Sequence, residues 1–191
     1  MSVYVYTNGV QCLPEISLQY DKRKIVFIGN MRTLQNQDSV QFFINSVFPI
    51  VKKSISEAIF YVLGADPPQT IKDMSDGKNI VVSGFVNSIE NEIKNSAVAV
   101  APVRIAAGIQ NKVLISMACG IPVVLTSIIA SAIPGLKSGQ NCLIADTEQD
   151  FAAAVIFLAK DSERRNTIAE SGYRLMQTSY SWNKCLEGYE L

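Results

Sequence analysis

Arg104, Gly108 and Lys112 stand between two apolar runs in the segment VAVAPVRIAAGIQNKVLISMACGIPVV. The first run, residues 98–101, meets Pro102, and a short loop then carries Arg104 and Gly108. Val113, Leu114, Met117 and Ala118 follow at helical spacing, and Gly120 and Pro122 separate them from a second run at 123–125. The order is strand, loop, helix, turn, strand, with a glycine and cations gathered at the strand-to-helix junction. Unpaired N–H groups of a helix N-terminus, assisted by Arg and Lys, are suited to holding phosphate. Arg32, just beyond Gly29 at the end of an earlier apolar run, is a further cation of this kind. Gly64 and Gly84 end two more runs, where backbone without a Cβ either turns or approaches a ligand closely.

The residues that are missing narrow the chemistry. The chain has no histidine, which excludes Ser-His-Asp and Cys-His nucleophile arrangements and any imidazole base within it. Cys12, Cys119, Cys142 and Cys185 are scattered without CxxC spacing, so no metal site is expected, and they read as reduced, mostly buried thiols. GxGxxG and GxxxxGK followed by Ser or Thr are both absent, which argues against a dinucleotide enzyme and a P-loop NTPase.

Hydrophobic residues make up 48% and charged residues 18% of the 191, a balance that suits one globular domain with a substantial core. Lys+Arg 17 equals Asp+Glu 17 and no basic face stands out, so nucleic acid is not expected as a partner. Apolar runs are far shorter than the roughly 20 residues needed to cross a bilayer. MSVYVYTNGV lacks the basic and apolar regions of a signal peptide, and the expected location is cytoplasmic.

The elements that must position these groups read as follows. Apolar runs at 24–28, 58–63, 79–83, 98–101, 123–125 and 141–145 predict buried strands. Asp38 is the expected N-cap of a helix carrying Val40, Phe43, Ile44, Val47, Phe48 and Val51, which Pro49 kinks or ends. Helices are also expected at 69–75, 88–96, 109–119, 148–160, 162–176 with Asp161 as a cap, and near the C-terminus, while 125–139 reads as a turn-rich loop. Strands alternating with helices imply an α/β fold: a single doubly wound, Rossmann-like parallel sheet of about six strands with helices on both faces. Residues 1–23 read as a linker and 24–191 as the domain.

GIQNKVLISMACGIPVV resembles the core of the C-terminal domain of glycosyltransferase family 4, the group 1 transferases of GT-B fold, in the subgroup with a GIQNKVLEAMA-like motif. FIGNM, VLG, VSGFV, VAVAPVR and YSW fall in the family's order, and TNGV at 7–10 is similar to the start of its interdomain linker. The resemblance implies a domain that binds a nucleotide-diphosphate sugar, UDP- or GDP-linked, for retaining glycosyl transfer without a cofactor or metal. It implies diphosphate contacts from Gly29, Arg32, Arg104, Gly108, Gln110, Asn111 and Lys112, and base contacts from Gly84, Phe85 and Val86. An N-terminal domain would hold the acceptor, a sugar or a lipid-linked saccharide, and the isolated chain would be inactive. Association with a membrane would come through that domain.

The family's paired glutamates, for the donor sugar and the ribose, fall on Ala107 and Ile115. Neither can accept a hydrogen bond. The departure keeps two other readings open: a catalytically degenerate domain acting as an interaction or regulatory module, and half of a GT-B nucleotide-sugar epimerase. The catalytic residue itself is unassigned.

Overall fold

The computed structural model describes residues 8–105 and 108–187. Its strands are β1 (Asp21–Ile28), β2 (Ile59–Leu63), β3 (Ile80–Gly84), β4 (Ser96–Ala101), β5 (Val123–Leu125) and β6 (Leu143–Ile144). They form one six-stranded sheet of order β3-β2-β1-β4-β5-β6, and every pairing is parallel. The helices are α1 (Leu34–Phe42), α2 (Phe48–Ser54), α3 (Gln69–Lys72), α4 (Ile89–Ile93), α5 (Asn111–Ala118), α6 (Ser127–Ser131), α7 (Glu148–Lys160), α8 (Ser162–Leu175) and α9 (Trp182–Cys185).

The continuous apolar runs mean what they do in a sheet covered on both faces. Ile25 and Phe27 of β1 enter one core, and Val26 and Ile28 enter the other. The first core holds α1, α2 and α7, where Phe43 meets Phe60 at 4.4 Å between ring centres and Phe151 at 6.2 Å. The second holds α5 and α6, with Leu114, Met117 and Ile129 fully buried or nearly so.

Three local expectations are corrected. The first helix starts at Leu34, four residues before Asp38, because Asn30 turns the chain directly into it: its side chain accepts from the Arg32 N–H at 2.9 Å and its carbonyl from the Thr33 hydroxyl at 3.1 Å. Pro49 does not end the helical path. A π-helical segment, Phe43–Val47, widens the path just before it, and Pro49 opens α2, where its missing N–H costs nothing. The stretch expected as loop at 125–139 contains α6, which buries Ile129. Thr147 and Asp161 cap α7 and α8 through their side chains.

Residues 8–16 lie along α5. The Leu13 N–H donates to the Ala118 carbonyl at 3.3 Å, and the Tyr173 hydroxyl donates to the Leu13 carbonyl at 2.5 Å. Ile16 fills the space beside Gly120, whose φ is +71° and whose added Cβ would come within 2.6 Å of it. Cys119 and Cys142 are buried and Cys12 and Cys185 half-buried, all without disulfides. Burial pushes the Cys119 thiol up to about 12 and Cys142 to about 11, which makes both poor nucleophiles at neutral pH.

Arg165 on α8 is 1% exposed, and among the described residues no carboxylate pairs with it. Its guanidinium donates to the carbonyls of Ser96 at 2.9 Å and Ala97 at 3.3 Å and stacks 4.4 Å from the Tyr20 ring centre. Burial pushes its pKa down to about 10. It therefore ties α8 to the start of β4. Arg165→Leu would leave those carbonyls without their donors, and the expected destabilisation is about 1–3 kcal/mol. Thermal unfolding should show it as a midpoint lowered by roughly 2–12 °C.

Candidate functional site

The chain winds from β1 out to β3, then returns to the other side of β1 to begin β4. The crossovers therefore diverge between β1 and β4, which leaves a crevice at the carboxyl ends of those strands. A cavity of about 350 Å³ opens there, lined from β1 and α1 by Ile28, Gly29, Thr33, Gln35 and Asn36, and from α5 by Ile109, Gln110, Asn111, Lys112 and Ile115. Neither α1 nor α5 has a side-chain cap at its N-terminus, and neither has an acid in its first turn. Two helix ends with positive partial charge thus meet at one cavity.

Lys112 supplies the full charge. Its ammonium donates to Asn36 Oδ1 and sits 4.7 Å from the centre of the Phe27 ring. Burial pushes its pKa down to about 8, and among the described residues no carboxylate pairs with it. Asn36 is 8% exposed and donates through Nδ2 to the Asn30 carbonyl at 2.8 Å. Gln35 donates to Gln110 Oε1 at 3.1 Å, joining the two walls, and Asn8 donates to Asn111 Oδ1 at 2.9 Å at the rim.

The floor depends on glycine. A Cβ on Gly29 would meet the Asn36 amide at 2.7 Å. Gly64, at φ +149°, lies so close beneath that an added Cβ would stand 1.9 Å from the Gly29 carbonyl oxygen.

The cavity therefore gathers Gly29, Gln110, Asn111, Lys112 and Ile115 from the residues singled out in the sequence. The other cations are engaged elsewhere. Arg32 is an exposed side chain whose Nε lies 2.9 Å from Asp66 Oδ2. Arg104 pairs with Asp38 at 2.5 and 3.1 Å and stacks on the Phe42 ring at 4.8 Å, and the pairing raises its pKa further. Gly108 is exposed at φ +71° with open space where a Cβ would stand, so backbone conformation alone accounts for glycine there. Gly84 (φ +71°) ends β3 and Phe85 and Val86 follow it, two strands from β1 and so roughly 10 Å along the same edge. Ala107 lies outside the described residues.

Asn36 and Phe27 are among the site residues that the sequence did not disclose, as are Thr33, Gln35 and Asn8. Asn36 meets Lys112 across 76 positions, because α1 and α5 cover opposite faces of the sheet and their N-termini converge at the carboxyl ends of β1 and β4. A larger cavity, about 390 Å³, lies at the opposite edge of the sheet between residues 13–17, α4 and Arg165. Its lining contains two cations, Lys94 and Arg165, and two acids, Glu15 and Glu90, and Arg165 already serves backbone carbonyls. The smaller cavity has the uncompensated charge. Among the described residues no helix is long and apolar enough to cross a membrane.

A doubly wound parallel sheet with a cationic cavity at its switch point is the architecture of a Rossmann-like domain. The family model for glycosyl transferases group 1 matches residues 22–161, and the chain belongs to that family. A TarM variant from S. aureus, in complex with Fondaparinux, alpha-GlcNAc-glycerol and UDP, overlays with a TM-score of 0.78 at 16% identity, over 96% of this chain and 38% of that one. The C-terminal domain of the group 1 protein LpcC from Francisella tularensis overlays with a TM-score of 0.63 at 23% identity, over 83% and 87%. Anabaena HepE, in complex with UDP-glucose, overlays at 0.65 and 13% identity, over 86% and 47%. This chain thus spans little more than a third of the TarM chain. No curated protein sequence matches it.

Proposed function

We propose that the domain binds a nucleoside-diphosphate sugar and presents it for retaining transfer to an acceptor held by a second domain. The observation that carries this reading is the half-buried Lys112 ammonium at the uncapped start of α5, which among the described residues pairs with no carboxylate. In this reading the diphosphate lies over Asn111 and Lys112, and the base reaches along the sheet edge toward Gly84–Val86. UDP in the TarM complex and UDP-glucose in the HepE complex support that class of ligand. As the sugar–phosphate bond breaks, negative charge grows on the leaving diphosphate, and fixed N–H dipoles and a cation stabilise it without a metal. Leu34, Phe85 and Ile105, 79%, 75% and 76% exposed after β1, β3 and β4, border this edge and suit a covering acceptor domain. The protein would act in the cytoplasm, reaching lipid-linked acceptors through that domain.

Isothermal titration tests the reading. UDP or GDP should give a saturable heat, and no heat from either at millimolar concentration overturns it. 2′-Deoxy-UDP should bind within about threefold of UDP. The cavity lining contains no carboxylate, and an aliphatic Ile115 forfeits none of the ~1.5–3 kcal/mol of a charge-assisted bond when the hydroxyl is removed. Ile115 also favours a second reading, an interaction module that kept the fold and lost its ligand. That reading expects no heat with any nucleotide.

A further inference from the structure

We propose that Asn36 is the positioning residue of this site: its side-chain carbonyl holds the Lys112 ammonium at the cavity wall without neutralising it, so that the ligand's phosphate becomes the counter-ion. The inference rests on the reading of the cavity as a diphosphate site.

The orientation of the Asn36 amide is fixed by its own partners. Nδ2 donates to the Asn30 carbonyl at 2.8 Å, so Oδ1 is the end that faces Lys112. Glycine at position 29 leaves the amide the space it occupies, since a Cβ there would come within 2.7 Å of it. The lysine ammonium lies over the Phe27 ring, which offers a π-face and no charge. From α1 the neighbours are Gln35 and Asn36, from β1 Ile28, and from its own helix Gln110 and Asn111, none of which titrates. The acids on the flanking loops and helix, Asp66 and Asp38, are held by Arg32 and Arg104.

An aspartate would occupy the same volume as Asn36 and would form a pair with Lys112. The pair would satisfy the lysine before any ligand arrived, and an incoming phosphate would meet a net charge lower by one. The neutral amide gives the ammonium one hydrogen bond, fixes its place, and leaves its charge free. The buried charge lacking a counter-ion, costly in the empty domain, becomes favourable on ligand binding.

Two variants with opposite expectations test this, read first in the ligand-free chain by NMR titration of the Lys112 side chain. Asn36→Asp should raise the lysine's titration midpoint by more than one pH unit, since a carboxylate favours the charged form. Asn36→Leu should lower it, since no acceptor remains. A merely structural role would shift both variants the same way or neither. UDP titration then follows. Asn36→Asp should bind about tenfold more weakly at pH 7, and its loss of affinity at high pH should begin at least a unit later than in the natural chain. Unchanged Lys112 titration in both folded variants overturns the proposal, as does wild-type UDP affinity and pH profile in Asn36→Asp. If the opposite shifts occur but the natural chain binds no UDP, the nucleotide reading fails and the role of Asn36 stands.

Discussion

Lys112→Ala should bind UDP roughly tenfold to a hundredfold more weakly than the natural chain, the range expected for losing one charge-assisted hydrogen bond of about 1.5–3 kcal/mol. The upper part of that range applies because the ammonium is half-buried, so salt screens it less than a fully exposed charge. Among the described residues no other cation lines the cavity to take over its role. The same proton gives the prediction a pH signature. With a free-state pKa of about 8, the affinity of the natural chain should fall above pH 8, approaching tenfold per unit. Stability should move the other way. A lysine whose folded pKa is lowered binds fewer protons folded than unfolded between pH 8 and its ordinary value near 10.5, so its destabilising effect fades as pH rises through that window. Binding that weakens while the ligand-free chain gains stability would identify one buried ammonium behind both. UDP titrations and thermal unfolding at pH 7, 8 and 9 decide it. An alanine variant with unchanged affinity would remove Lys112 from the site.

Much of this arrangement could be read from the residue pattern, because it depends on local order. Continuous apolar runs closing in glycine specify buried parallel strands, and Val113, Leu114, Met117 and Ala118 specify a helix whichever partner they meet. Where charged residues point was not legible. Arg32 and Arg104 sit just past strands and Lys112 at a helix start, and nothing in the residue pattern shows that the first two find carboxylates while Lys112 finds an amide. Asp38 shows why. Read as a cap, it lies inside α1 and faces Arg104, because the Asn30 turn starts the helix one turn early. A shift of one turn moves a side chain along the same helix face and changes its partner without disturbing the apolar pattern. Asn36 carried no signal, since an asparagine near a helix start ordinarily reads as a polar surface residue.

Gly64→Ala should destabilise the domain by about 3 kcal/mol or more and remove UDP binding in whatever fraction stays folded. The expected fall in melting midpoint is roughly 6–12 °C. Gly64 sits at φ +149°, a conformation that L side chains rarely adopt, and an added Cβ would stand 1.9 Å from the Gly29 oxygen and 2.7 Å from its carbonyl carbon. Those are backbone atoms, so no rotamer change relieves the contact. Nor can the turn drift freely. The Gly29 N–H donates to the Leu63 carbonyl at 2.9 Å, the Gly64 N–H to Gly84 at 3.0 Å and the Met31 N–H to Ala65 at 2.9 Å, stitching the ends of β1, β2 and β3 together. Making room must move the turn after β1, and with it the Asn30 carbonyl that orients Asn36 and, through Asn36, Lys112. Gly77→Ala is the control, since Gly77 has a φ of +67° but nothing within 4 Å of its would-be Cβ. It should lose only the ~1–2 kcal/mol of left-handed strain and keep its affinity for UDP. Equal losses of stability in the two variants would mean that conformation alone sets the effect, and that the close approach of Gly64 to Gly29 does not hold the site in place.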